Sequence, residues 1–156
     1  MSPDEQVVQT LYESLKSGDA AAMAECYRND AKFRDLAFDL KGKQNIADMW
    51  RFVCHRRPGI WFGCIRTEGS EVKAHWVADY KFKGVNQVNY GIDARFTCRE
   101  GKIVVHHDEA SRWFWSKQAL GFPKDVIVTL FPSVLRKQAW EELKAFLEAE
   151  KTGKAG

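Results

Sequence analysis

Apolar side chains recur along this chain with two different periods, and the change from one to the other falls near residue 60. Val7, Val8, Leu11, Tyr12 and Leu15 keep helical spacing behind Ser2-Pro3-Asp4-Glu5, which supplies a cap, a first-turn proline and early acids; the pattern stops at Ser17-Gly18. Asp19 caps a second, shorter helix through Tyr27, with Met23, Cys26 and Tyr27 as its buried side, and Arg28-Asn29-Asp30 reads as a turn. Ala31 to Leu36 alternates as a strand does, which puts Asp35 on the same face as Ala31 and Phe33. Ile46, Met49, Trp50 and Val53 mark a third helix over Asn45 to His55, ended by Pro58-Gly59. Beyond Ile60 the period becomes two. Trp61 to Thr67, Val72 to Phe82, Val85 to Cys98 and Lys102 to Ala110 are predicted strands joined by short turns, hence an antiparallel sheet. "RWFWSKQALG" predicts a helical turn closed by Gly121, and Pro132 opens a last helix with Leu135, Ala139, Leu143 and Phe146 or Leu147 as its apolar stripe.

Helices first, a meandering sheet afterwards and a helix to finish describe an α+β fold, a strongly bent sheet wrapped on the early helices as a cone-shaped α+β barrel. The expected organisation is a main domain over residues 1–124, a C-terminal amphipathic helix over 125–150 packed on it, and a polar tail over 151–156. At 156 residues and 45% hydrophobic the chain suits one core. The net charge of +3 is scattered rather than gathered in a stripe, so nucleic acid is not an expected partner. Cys26, Cys54, Cys64 and Cys98 form no CxxC pair, and "MSPDEQVVQ" lacks a signal-peptide pattern, which implies reduced thiols and a cytoplasmic protein. No apolar run approaches the ~20 residues of a membrane span. No P-loop, HExxH or dinucleotide fingerprint occurs, and no cofactor or metal is implied.

The stretch "GKIVVHHDEASRWFW" breaks the apolar pattern with two histidines and two acids. Period two puts Val104, His106, Asp108 and Ala110 on one face and Ile103, Val105, His107 and Glu109 on the other. Together with "VVQTLYESLKSGDAAAMAECYRNDAKFRDLAFDLKGKQNIADMW", this stretch resembles the nuclear-transport-factor-two-like superfamily, in particular its SnoaL-like and ketosteroid-isomerase-like branches, over roughly Glu5 to Gly121. The resemblance implies an internal cavity faced by His106 and Asp108. "DAKFRD" is similar to the isomerase segment that ends in the catalytic base, here Asp35. "GIDARF" matches the oxyanion-hole acid at Asp93, yet alternation sets Asp93 with Asn89, Arg95 and Thr97 on the polar face. The isomerase's oxyanion tyrosine falls on Leu11, with Tyr12 turned away by about 100°. "GKIVVHHDE" is also similar to limonene epoxide hydrolases, whose triad aspartate matches Asp108, while Asp79 matches an acid and Val77 stands where an arginine belongs.

From these comparisons Asp35, Asp108 and His106 are the candidate catalytic residues, the two acids as an acid/base pair and His106 bracing Asp108. A plainer role exists for each: Asp35 as a strand-end anchor for the following loop, Asp108 as a brace for "SRWFW". Tyr27, Trp50, Trp76 and Tyr80 are the candidate ligand-binding residues, suited to a small apolar or polycyclic molecule. His55 beside Arg56 and Arg57 reads as a solvated helix end. The superfamily implies a homodimer paired through the outer sheet face. Three functions stay open: a cofactor-independent proton-transfer enzyme for isomerisation, cyclisation or hydration, a non-catalytic ligand-binding module, and an interaction module whose interior is plugged.

Overall fold

Ser2 accepts from the Glu5 amide at 3.1 Å while the Glu5 carboxylate accepts from the Ser2 amide at 3.0 Å, and this capping box starts helix α1 (Pro3–Ser17). Gly18 ends it in the left-handed conformation (φ 75°). The structure, a computed structural model, describes residues 1–121 and 124–153. The order continues through α2 (Ala20–Glu25), β1 (Tyr27–Arg34), β2 (Asp39–Lys41), α3 (Lys43–His55), β3 (Gly59–Glu68), β4 (Glu71–Phe82), β5 (Asn86–Arg99), β6 (Lys102–Glu109), α4 (Arg112–Ala119), α5 (Lys124–Leu130) and α6 (Pro132–Lys151).

The strands form one sheet in the order β2-β1-β6-β5-β4-β3. β2 and β3 remain as edges, so the sheet curves around α1 and α3 without closing. The pairing β3-β4-β5-β6 follows the predicted hairpins. β1, however, lies parallel to β6, so the sheet is mixed rather than purely antiparallel. Strands so far apart in sequence have no tight turn to reverse them, and either direction is open to them.

Irregularities bend the sheet. On β3 the register shifts between Gly63 and Arg66, where Cys64 takes φ 56°. The predicted turn Arg28-Asn29-Asp30 is instead extended chain within β1 that loops away from β6: the ladder passes from Tyr27↔Ile103 to Lys32↔Val105. Likewise the helix expected to reach Tyr27 ends at Glu25, because the Cys26 carbonyl accepts from the Ile103 amide at 2.8 Å and Tyr27 joins the sheet. The strand expected to Leu36 ends at Arg34, β2 was not predicted, and the C-terminal helix expected over 125–150 is two helices, α5 and α6, parted at Phe131.

Apolar burial divides into two clusters. The larger joins α1, α2, α3 and the inner sheet face, with Leu11, Tyr12, Met23, Phe33, Trp50, Phe96 and Ile103 fully buried, and Leu143 of α6 reaches into it. The smaller gathers Phe82, Val88, Trp115, Ala119, Val128 and Leu135 under α4, α5 and the start of α6. Tyr80 and Tyr90 touch both. α6 is tied to α3 by Arg56–Glu142 (2.6 Å), Arg51–Glu150 (3.1 Å) and Phe52 against Phe146. Phe122 and Pro123, at the predicted 124/125 boundary, and the end of the predicted tail at 154–156 lie outside the described residues. Among the described residues no helix is long and apolar enough to cross a membrane.

Candidate functional site

β6 positions the centre of the site by means of a bulge. Cys98↔Ile103 is followed by Thr97↔Val105, so Val104 is the extra residue, and the face inverts across it. Ile103, predicted outward, is therefore buried along with His106 and Asp108, while Val104 is only half-buried and Val105 is exposed. Past the bulge, strict alternation holds.

His106 stands between Phe33 on β1 and Phe96 on β5, its register partners on either side. Their rings lie 4.8 and 4.2 Å from its own, Trp50 and Tyr27 stack on it at 6.2 and 6.1 Å, and the side chain has no exposed surface. The expectation that His106 faces the cavity is corrected by this packing: four aromatic rings enclose it, and only Asp108 reaches the cavity wall.

Four side chains form one chain of hydrogen bonds. Trp50 Nε1 donates to the Tyr27 hydroxyl (3.0 Å), that hydroxyl meets His106 Nδ1 (2.7 Å), and His106 Nε2 meets Asp108 Oδ1 (2.8 Å). An indole N–H only donates. Assigning every proton to a partner then makes the Tyr27 hydroxyl the donor to Nδ1, which leaves the Nε2 proton for the Asp108 carboxylate. Tyr27, expected to touch ligand, is thus 1% exposed and absent from the cavity wall; it orients His106 from behind. Burial and the nearby Asp108 charge hold its hydroxyl well above the ordinary tyrosine range, although the Trp50 hydrogen bond acts the other way.

Asp35 leaves the end of β1 and starts the loop to β2. Its Oδ1 accepts from the amides of Ala37 (2.8 Å) and Phe38 (2.6 Å), and its own amide donates to the Phe38 carbonyl (2.9 Å). The loop-anchor role is accordingly present in one oxygen. The half-buried side chain also stands in the wall of the same cavity as Asp108. Desolvation, with repulsion from Asp108 as a smaller cause, pushes its carboxyl up to about 6 against the two amide hydrogen bonds. No protein hydrogen bond reaches the second oxygen of either carboxyl among the described residues.

The cavity occupies the seam where the two apolar clusters fail to merge. Its free space is about 140 Å³. Trp50, Trp76 and Tyr80, all predicted, line it, and Trp115, which donates to the Tyr80 hydroxyl at 2.7 Å, closes one side together with Tyr90 and Leu135. An engineered apolar cavity of about 150 Å³ accepts benzene, so the space suits one ring, smaller than the predicted polycycle. Two buried polar atoms, Tyr12 Oη and Trp76 Nε1, the second on a residue of the cavity wall, have no hydrogen-bond partner among the described residues. No group of three or more His, Cys, Asp or Glu side chains is placed to hold a metal among the described residues. Burial raises Cys26 to about 11 and Cys98 to about 12, so neither supplies a thiolate near neutral pH. On the outer sheet face His75 Nδ1 meets Asp93 Oδ1 at 2.8 Å, and Asp79 is likewise exposed, so neither acid belongs to the cavity.

The sequence profile of the SnoaL-like domain matches residues 8–106, more than half of the chain. The chain belongs to the SnoaL-like family. Solved structures agree in fold. An LEH-like epoxide hydrolase of M. tuberculosis superposes with a TM-score of 0.64 at 16% identity, covering 83% of this chain and 96% of that one. A protein of Catenulispora acidiphila with a ketosteroid isomerase-like fold, in complex with trimethylamine, gives a TM-score of 0.67 at 16% identity and covers 77% and 95%. The epoxide hydrolase/cyclase-like enzyme SalBIII, of pyran ring formation in the polyether salinomycin, gives 0.62 at 19% and covers 70% and 94%. No protein of curated function matches in sequence. The SnoaL-like assignment makes this a small-molecule pocket protein. The family match ends at His106, two residues short of Asp108, and α4 to α6 lie beyond it.

Of the groups in the wall, sequence reasoning missed Trp115, Tyr90, Arg56 and Glu142. Tyr90 lies on the apolar face already read on β5, so it was recoverable. The others carried no local signal, since their place depends on how α4 and α6 pack.

Proposed function

We propose that this SnoaL-like protein is an enzyme that moves a proton on a small apolar molecule without a cofactor. Asp108 acts as general base through its free carboxylate oxygen, and Asp35, with a proton affinity near 6, acts as the complementary acid. His106 is a positioning residue: it holds Asp108 by one hydrogen bond and takes its own orientation from Tyr27 and Trp50. The observation that carries this reading is two carboxyl groups in one apolar wall, each anchored by one oxygen and free at the other. Isomerisation, cyclisation and hydration all fit such a pair. The names of two fold neighbours, an epoxide hydrolase and an epoxide hydrolase/cyclase-like enzyme, make epoxide opening the first to try.

The test offers terpenoid epoxides, β,γ-unsaturated ketones and phenolic esters in deuterated water and follows product and deuterium incorporation. Turnover should fall by about 10²- to 10⁴-fold in Asp108→Asn. Turnover that survives this change removes the assignment. A second reading, ligand binding without chemistry, rests on the Asp35 amide bonds, which explain that acid as a loop anchor. It predicts equal ligand affinity in wild type, Asp35→Asn and Asp108→Asn, with no product. We further propose a homodimer paired through the outer sheet face, where Trp61 stands 55% exposed against His75; the mass in solution tests it.

A further inference from the structure

The cavity is largely apolar, and a basic depression adjoins it. Arg56, Arg57, Lys81 and Lys83 border a shallow depression that shares Arg56 and Tyr80 with the cavity wall, so the two spaces are neighbours. Glu142 of α6 engages Arg56 at 2.6 Å and Lys83 at 3.7 Å, and Asp79 accepts from the Gln87 side-chain amide. Four cations against two carboxylates leave the rim positive. Arg57 and Lys81, both exposed, have no ion-pair partner among the described residues.

The placement of Arg57 is conformationally unfavourable. It sits at the left-handed position (φ 51°) that closes α3, where its amide donates to the Cys54 carbonyl at 3.0 Å, a position glycine or asparagine fills at lower cost. Lys83 repeats the choice in the β4–β5 turn with φ 50°. Two rim cations thus occupy left-handed backbone. The free space of about 140 Å³ holds a single ring, so a longer ligand extends outside it, and the depression beside Arg56 and Tyr80 offers its remainder a charged seat.

We propose that the ligand is an anionic amphiphile, with a ring-sized apolar end in the cavity and an oxyanion head, carboxylate or phosphate, seated on Arg57 and Lys81. The proposal rests on the cavity being the ligand site and adds the substrate class. An oxyanion there gains from two cations that no ion pair holds, against the single carboxylate of Asp79 in the same depression, and the gain is sensitive to salt because the rim is exposed.

Calorimetric titration of the full chain with ω-phenylalkanoates of increasing length, their methyl esters and the matching phosphate monoesters tests it. At the best length the anion should bind on the order of tenfold tighter than the ester at low salt. The advantage should shrink with added salt and vanish in the double variant Arg57→Asn, Lys81→Gln, with ester affinity unchanged. Asparagine suits the left-handed turn, so that variant keeps the α3 end. A tighter phosphate than carboxylate names phosphate as the head, and the reverse names carboxylate. Equal affinity of anion and ester in the wild type, or an anion preference that survives in the variant, overturns the proposal while leaving the cavity reading in place. If neither anion nor ester binds at any length, the cavity reading fails and the rim proposal falls with it.

Discussion

Replacing Asp35 by asparagine separates the charge of this residue from its role as a loop anchor. The asparagine carbonyl oxygen can accept the same two amide bonds from Ala37 and Phe38. What disappears is the ionisable group. In the folded protein its carboxyl is raised from the ordinary 3.8 to about 6, chiefly by desolvation. At one pKa unit per about 1.4 kcal/mol, ionising Asp35 in the folded state costs about 3 kcal/mol more than in the unfolded chain. The sign follows from which state gives up its proton first. Below the unfolded value both states are protonated and the cost is nil. As pH rises the unfolded chain ionises while the folded one holds its proton, so stability falls, and above about pH 6 the full cost is present. Asp35→Asn should therefore be more stable than wild type at pH 8, and its advantage should widen by about 2–3 kcal/mol between pH 4 and pH 8. Urea denaturation of both proteins at the two pH values measures this, and in the difference between them the other titrating groups cancel to first order. For a chain of this length the effect is about 5–10 °C in Tm at pH 8. An advantage that stays constant with pH, or a variant less stable at pH 8 than at pH 4 relative to wild type, would refute the claim that Asp35 is held partly protonated by burial.

Tyr27→Phe removes the middle of the Trp50-Tyr27-His106 chain and leaves Trp50 Nε1 and His106 Nδ1 buried without partners; it should cost about 2–4 kcal/mol by urea denaturation, and a loss under 0.5 kcal/mol would show the chain carries little. On the proposed proton-transfer reading, the same variant should also shift the pH profile of turnover along with its rate, since His106 loses the bond that fixes its tautomer. Tyr12→Phe deletes a buried hydroxyl that has no partner, so stability should be unchanged or raised by up to about 1 kcal/mol; a clear loss would mean a bound water or ligand normally meets that hydroxyl.

The first and third helices, the four hairpin strands and the shared face of His106 and Asp108 were legible in the sequence because each follows from local rules, whereas the family resemblance chose that face as the inner one. Helical spacing brings Val8, Leu11 and Leu15 to one face, and a two-residue period brings Trp76, Ala78 and Tyr80 to another, whatever the rest of the chain does. The same rule failed at Val104, since a bulge shifts the count by one and nothing in "KIVVHH" announces it. It also could not foresee that β1 runs parallel to β6, a pairing between segments some seventy residues apart.

Roles within the site depended on contacts of that long-range kind. The sequence alone placed an imidazole beside a carboxylate on β6 and a second carboxylate after Phe33. Only the packed structure withdrew His106 from the cavity, because Phe33 and Tyr27 of β1, Phe96 of β5 and Trp50 of α3 come from three other elements and their rings meet around it. The tertiary structure likewise brought Arg56 and Glu142 together in the cavity wall, so part of what read as a solvated helix end lines the cavity. Periodicity determines which face a side chain takes. What stands opposite that face is fixed by the joining of distant segments, and so hydrogen-bond partners, burial and the resulting proton affinities belong to the fold.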